Sequence, residues 1–87
     1  MKIKYPLAKE TINEDHGETT HHIVLAEDVS FFNKPSILKK LNSIPGNSKV
    51  VLDFSNTKSI AFDVKEMIKD FMQQAQSKNI KVETISF

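Results

Sequence analysis

The chain lacks cysteine and has little glycine: its 87 residues include no Cys and two Gly. Without cysteine there are no disulfides, no thiolate nucleophiles and no cysteine-based zinc or iron–sulfur sites. Two glycines are too few for a dinucleotide-binding fingerprint or a P-loop, because both motifs place several glycines close to phosphate. Stability must therefore come from packing, and the common nucleotide-dependent enzyme classes are excluded.

An excess of charge of one sign is also lacking. Twelve Lys and Arg residues against eleven Asp and Glu residues give a formal net charge of +1. Such a chain has no basic field to attract a nucleic acid or an anionic membrane, so we expect no nucleic-acid partner. No apolar run approaches the roughly 20 residues that span a bilayer, and the first residues lack the apolar stretch of a signal peptide. We expect the isolated chain to be soluble.

Length and composition predict a single domain over residues 1–87, because one domain typically needs about 50 to 250 residues. A hydrophobic fraction of 39% with 26% charged residues of both signs is enough for a modest core. We place that core at about 20–85 and an N-terminal edge strand with a turn at 1–19. The expected edge strand is 3–7, followed by a polar, mobile connection over 9–20 with its turn at 13–17.

The remaining elements follow from hydrophobic spacing. The β-branched run at 19–25 predicts a second strand, paired with the first in a hairpin. The continuous apolar run at 50–54 predicts a strand buried on both faces at the sheet centre. Alternation at 80–85 predicts a strand near the sheet edge, with one wetter face.

Two helices are expected between these strands. One covers about 34–43, with Asn33 as its N-cap and Pro35 in its first turn. The other covers about 63–77 and has the strongest apolar period of the chain. The order β, β, α, β, α, β predicts an α/β fold with a small, mixed, mostly parallel sheet and right-handed crossovers.

No arrangement of catalytic or metal-ligating residues stands out in the sequence, and we expect neither an enzyme nor a metal site. His21 and His22 are adjacent in a predicted strand, so their side chains point to opposite faces and cannot readily chelate one metal together. We interpret both as surface or edge histidines. His16 lies among acidic residues in the predicted turn, which is a weak basis for a metal contact.

The connection from the central strand to the second helix is the best candidate for a binding or regulatory loop. Ligands of parallel α/β sheets gather at the carboxyl ends of the strands, next to helix N-termini. The loop carries negative net charge, which disfavours an anion, so Asp63 is expected to stabilise its own helix, with regulation or docking as the alternative. The candidate residues are Asp53, Ser55, Asn56, Thr57, Lys58, Ser59 and Asp63.

The sequence VVLDFSNTKSIAFDV at 50–64, followed by an amphipathic helix, resembles the signature of STAS domains. These are small α/β modules of SulP-type anion transporters and of anti-sigma factor antagonists. HIVLAEDVSFFNK at 22–34 is more specifically similar to the strand-to-helix segment of STAS domains from bacterial sulfate or bicarbonate permeases. The resemblance covers about 20–85 and implies a STAS-like fold.

The resemblance implies a cytoplasmic regulatory or interaction domain of a SulP-type transporter, at the cytoplasmic face of the inner membrane and without catalytic activity. Its partner would be the transmembrane domain of the same protein, with another cytosolic protein as a second partner and Phe32, Asn33 and Lys34 as contacts. No cofactor is implied. Nucleotide binding is a weaker alternative because the loop is acidic and poor in glycine, and exposed strand edges allow a homodimer.

The alternative is a free-standing STAS signalling protein of the anti-sigma factor antagonist type. In that branch a kinase phosphorylates a serine that opens the second helix. Asp63 occupies the matching position here, and a carboxylate carries a fixed charge about half that of phosphoserine. The phosphorylation switch would then be missing, and Ala61 departs from the acidic residue expected in either branch.

Overall fold

The computed structural model describes residues 8–87, which form a small α/β fold with six strands and two α-helices. Short 3₁₀ turns at Phe31–Asn33 and Gln76–Lys78 adjoin the helices. The elements are β1 (Ala8–Asp15), β2 (Glu18–Leu25), β3 (Asp28–Val29), α1 (Lys34–Asn42), β4 (Lys49–Asp53), β5 (Ser59–Ile60), α2 (Phe62–Ala75) and β6 (Lys81–Ile85).

The main sheet has the strand order β1-β2-β4-β6. β2, β4 and β6 are parallel to one another, and β1 is antiparallel to β2. The prediction of a mixed, mostly parallel sheet with helices packed against it is confirmed. β3 and β5 form a second, two-stranded parallel sheet, which was not predicted because strands of two residues have no detectable periodicity.

The hairpin lies later in the chain than predicted. The strand expected at 3–7 falls outside the described residues, whereas the segment predicted as a polar connection forms most of β1. The predicted turn at 13–17 shrinks to His16 and Gly17, whose φ angles of 52° and 82° suit a two-residue hairpin turn. Residues 11–15 are all exposed, so no alternation of apolar residues marked this strand.

Both helices cover the same face of the main sheet. The core cluster joins alternate residues of β2 and β4 to the apolar faces of α1 and α2. β4 is therefore buried on one face rather than on both as predicted: Val50 and Leu52 are 0% and 1% exposed, while Val51 is half-buried. The correction follows from having helices on one side of the sheet, which leaves the opposite side, here called the open face, to polar and half-buried residues.

The helix predictions hold with small changes at the ends. The apolar period of α2 is confirmed by its five buried residues, Val64, Met67, Ile68, Phe71 and Ala75. Asn33 holds the N-cap position of α1 as predicted, with Pro35 in the first turn, but its side chain makes no cap bond to that helix. Asn33 instead accepts from the Ser30 amide at 2.8 Å, in a capping box that begins the preceding 3₁₀ turn.

Gly46 lies where the turn before β4 meets the turn before β6. A Cβ at this position would lie 2.8 Å from the carbonyl oxygen of Lys78. The Asn47 amide donates to the same carbonyl at 3.2 Å, and Asn79 Nδ2 donates to Asn47 Oδ1 at 2.6 Å. The close approach of the two turns therefore requires glycine.

Within residues 8–87, no helix combines the length and the apolar character needed to cross a membrane.

Phe71 and Phe62 provide a matched test of the core, because both belong to α2 but differ in burial. Phe71 is 8% exposed and Phe62 is 72% exposed. Phe71→Ala should reduce the free energy of unfolding by about 3–5 kcal/mol, because it removes a buried aromatic side chain and leaves a cavity. Phe62→Ala should change it by about 0.5 kcal/mol or less. Urea denaturation of both variants measures the difference, and equal losses would contradict this placement of the helix.

Candidate functional site

Two strand-to-helix connections run side by side at the carboxyl end of the main sheet. β3 leads toward α1 and β5 leads into α2, and the two strands pair through Asp28 with Ser59 and Val29 with Ile60. The Ala61 amide extends this ladder by donating to the Val29 carbonyl at 2.8 Å. The two segments on which the family resemblance rests are thereby brought together.

The predicted loop is bonded to the connection that follows β2. The amides of Lys58 and Ser59 donate to the Glu27 carbonyl at 2.7 and 3.2 Å. Thr57 Oγ1 donates to the Ala26 carbonyl at 2.7 Å, and Lys58 Nζ lies 3.1 Å from Glu27 Oε2 on the surface. These groups hold the two connections together, while Ser55 and Asn56 remain exposed.

Asp53 closes the start of this loop. Its Oδ1 accepts from the Ser55 amide at 2.9 Å, and its Oδ2 lies 3.3 Å from His22 Nε2 on the open face. Hydrogen bonding from Ser55, with a smaller contribution from His22, lowers the pKa of the Asp53 carboxyl. This carboxylate is therefore bound within the loop as an acceptor and is poorly suited to act as a general base.

Asp63 is exposed in the first turn of α2, where it is the acidic residue. The N-cap Ala61 has no side chain that can accept from the free amides of that turn. A carboxylate at this point interacts favourably with the helix dipole, typically by about 0.3–1 kcal/mol. The placement agrees with the expectation that Asp63 stabilises its own helix, and it leaves the charge open to a partner.

Three exposed phenylalanines belong to the same end of the molecule and form what we call the aromatic patch: Phe31, Phe32 and Phe62. They are 55%, 83% and 72% exposed. The rings of Phe31 and Phe32 lie 5.1 Å apart between centroids, and their 3₁₀ turn contacts α2, which begins at Phe62. Large exposed apolar side chains grouped in this way mark an interaction surface.

Phe32 is among the partner contacts predicted from the sequence, whereas Phe31 and Phe62 were not predicted. The parallel pairing of β3 and β5 brings the two sequence segments together, and this pairing had no signal in the sequence. Asn33 and Lys34, the other predicted contacts, are half-buried, and the Asn33 side chain is used within its own turn.

A second polar cluster lies on the helix-covered side of the main sheet. His21 Nδ1 lies 2.8 Å from Glu10 Oε2, and Lys40 Nζ donates to Glu10 Oε1 at 2.8 Å. His21 is 7% exposed, so its interpretation as a surface or edge histidine was wrong, although His21 and His22 do lie on opposite faces as predicted. The cluster joins β1, β2 and α1, which gives it a structural role.

The charges of this cluster favour ionised Glu10. The hydrogen bond from Lys40, followed by that from His21, lowers the pKa of Glu10 below its ordinary value of 4.5. His21 Nε2 is buried and has no hydrogen-bond partner among residues 8–87. Because a carboxylate oxygen only accepts hydrogen bonds, His21 donates to Glu10 from Nδ1.

Comparison with solved structures supports the fold. Two crystal structures of a protein named Mglu are similar to this chain, one of them in its native form. They give TM-scores of 0.68 and 0.64 at 20% and 16% sequence identity, and each similarity covers 85% of this chain. The matched region is 18% and 22% of the Mglu chains, so this chain spans about a fifth of their length. No known family and no curated protein matches the sequence.

Within the region that the structure describes, no group of three or more His, Cys, Asp or Glu side chains is placed to hold a metal ion. The groups that do converge at the carboxyl end are apolar rings, exposed carboxylates and loop hydroxyls. Such a set is typical of a surface that contacts another macromolecule.

Acid should weaken the contribution of Glu10 to stability. Because its folded-state pKa is lowered, the stabilisation is complete above about pH 4.5 and is lost as the pH falls through the folded-state pKa.

Glu10→Gln should destabilise the protein at pH 7, by about 1 kcal/mol or more, because a charged acceptor is lost. That deficit should shrink toward pH 3. Thermal unfolding across this range measures it, with exposed Glu14→Gln on the same strand as the control. A deficit that does not change with pH would contradict this account.

Proposed function

We propose that the chain is a non-catalytic interaction domain that binds its partner through the aromatic patch and the neighbouring Asp63. The observation that carries the proposal is the exposure of three phenylalanine rings at one end of a fold whose other large apolar residues are mostly buried. An aromatic ring that is exposed in the free protein gains binding free energy when a partner buries it, and such rings dominate the energetics of many interfaces.

The hydrogen bonds of the loop support binding rather than catalysis. Asp53 accepts from Ser55, and Thr57 and Lys58 bond to the connection after β2. These contacts bond the loop to the connection that leads through β3 into the 3₁₀ turn of Phe31 and Phe32. A rigid surface loses little conformational entropy when a partner binds, which favours recognition by a preformed site.

The STAS resemblance supplies the identity of the partner. By that resemblance the domain belongs to a SulP-type sulfate or bicarbonate transporter and lies at the cytoplasmic face of the inner membrane. Its partner would be the transmembrane domain of the same protein, against which the aromatic patch would pack. These residues would then regulate or support transport, and the membrane domain would move the anion.

The second candidate is a free-standing STAS signalling protein, and the exposure of Asp63 favours it. In anti-sigma factor antagonists the matching position is a serine whose phosphorylation adds charge at the start of this helix. Asp63 keeps a negative charge there permanently, on a side chain that a partner can reach. The domain would then bind an anti-sigma factor or another signalling protein in one fixed state.

The size and location of the native gene product separate these candidates. An antibody to this chain would be used to blot membrane and soluble fractions of native cells. A membrane-associated band several times larger than 9.9 kDa supports the transporter domain, and a soluble band near 9.9 kDa supports the free-standing protein. A larger band confined to the soluble fraction would contradict both.

The aromatic patch itself is tested by Phe32→Ser and Phe62→Ser. Each should weaken binding to the partner by about tenfold or more, because apolar contacts central to an interface typically contribute over about 1 kcal/mol. Ile12→Ser is the matched control, since Ile12 is 56% exposed on β1, away from the patch. Co-purification with the partner gives the readout, and urea denaturation checks the fold. Unchanged binding by both Phe variants would refute this surface.

A further inference from the structure

β6 is an edge strand whose outer side is unpaired within the described part of the chain. At the start of β6 the Lys81 amide donates to the Ser48 carbonyl at 3.0 Å, and at its end the Ile85 carbonyl accepts from the Phe54 amide at 2.9 Å. Alternate residues from Lys81 to Ile85 therefore direct their backbone groups toward β4. In a parallel ladder the residues between them point away. The amides and carbonyls of Val82 and Thr84 therefore face outward, and nothing within residues 8–87 bonds to them.

The side chains along this edge carry a short pattern of opposite charges. Lys81 and Glu83 are exposed on the open face, two residues apart, while Val82 between them is half-buried on the helix-covered side. Within one copy Lys49 Nζ lies 3.0 Å from Glu83 Oε2 and Lys81 Nζ lies 3.8 Å from Glu18 Oε2, and both pairs remain exposed to a facing strand. Val82 and half-buried Met72 border an open groove of about 840 Å³ between α2 and β6. An unpaired strand next to a partly apolar groove is a template for pairing with another chain.

We propose that a second copy of this chain pairs with it through β6, antiparallel, with the two-fold axis at Val82. In this register Lys81 of each copy lies opposite Glu83 of the other, so two cross-strand pairs of opposite charge form on the open face. The two Val82 residues exchange backbone hydrogen bonds across the axis. At each end the Thr84 amide of one copy donates to the Ile80 carbonyl of the other. The Ile80 amide keeps its bond to the Ala75 carbonyl of its own copy.

The charges select this register over its neighbours. An axis at Glu83 would place the two Glu83 side chains directly opposite each other, which is destabilising. An axis at Thr84 would place Glu83 opposite Ile85 and leave Lys81 without an acidic partner on the facing strand. A pattern of Lys and Glu two residues apart is thus self-complementary when Val82 lies on the axis.

The same two-fold axis places the two grooves next to each other. The α2 helices of the two copies then approach on the helix-covered side, and Val82 and Met72 of both copies lose exposure. The two main sheets become one continuous sheet of eight strands. Five-residue strands and one shallow groove bury less than a standard interface of about 1,600 Å², so the dimer should be weak and concentration-dependent.

Charge reversal tests the register directly. Lys81→Glu and Glu83→Lys should each weaken self-association by about tenfold or more, because each variant places like charges opposite each other twice per dimer. A mixture of the two variants should restore association, since the carboxylate introduced in one copy then faces the ammonium group introduced in the other. Sedimentation equilibrium measures the mass, which should rise with concentration from 9.9 kDa toward twice that value in the parent and in the mixture.

Lys78→Glu is the control for charge reversal, because Lys78 is exposed in the turn just before the strand. It should leave the parent's association unchanged, and circular dichroism should show that all variants are folded. A parent that stays at 9.9 kDa at every concentration would overturn the proposal. Association that neither reversal weakens would place the contact elsewhere and overturn it equally.

The absence of cysteine permits a second test. In Val82→Cys the two thiols would face each other across the axis, with Cα atoms about 5.5 Å apart, within the range that a disulfide spans. Mild oxidation should give a covalent dimer in non-reducing gels, and Ser36→Cys, exposed on α1, should not. Equal cross-linking of both variants would reject this axis. If the parent dimerises in sedimentation equilibrium but Val82→Cys gives no covalent dimer, this axis is rejected equally.

Discussion

The apolar residues on one face of β2 and β4 must be buried away from water, and α1 and α2 bury them by packing on that face. This packing determines where the connections and the exposed surfaces lie. Each helix must return to the same face of a parallel sheet, so the connections after β2 and β4 leave the sheet at the same end. They then run close enough for β3 and β5 to pair. The aromatic patch is built on that pairing, which means that the burial of the core positions the surface proposed to bind a partner.

The packing of both helices on one face of the sheet also explains which parts of the fold can be predicted from the sequence. α2 and β6 are marked by the spacing of their apolar residues, because burial is what creates such spacing. β1 pairs through its backbone while residues 11–15 stay exposed, so no apolar pattern identified it. β4 was predicted to be buried on both faces because Val51 completes an apolar run, and the sequence cannot show that no helix covers that side.

The candidate site shows the same division. Asp63 at the start of α2 and the loop before it were predictable, since capping and strand ends have local signals. Phe62 was not, because its meaning depends on a neighbour about 30 residues earlier, reached through β3 and β5. His21 was misjudged for a similar reason: Glu10 and Lys40, which form the cluster around its buried ring, come from two other elements. Local patterns give the elements, and long-range pairing decides what each side chain contacts.

The two proposed contact surfaces lie at opposite ends of α2, and this separation gives them a combined consequence. A helix of 14 residues is about 20 Å long, so a partner on Phe62 and a second copy beside Gln73 and Gln76 need not collide. A β6 dimer would present two aromatic patches at once. A partner with two binding sites would then bind more tightly than one patch alone allows, because the first contact raises the effective concentration of the second patch. Because the charge of Asp63 is fixed, the strength of such binding would be set by assembly rather than by phosphorylation at this position.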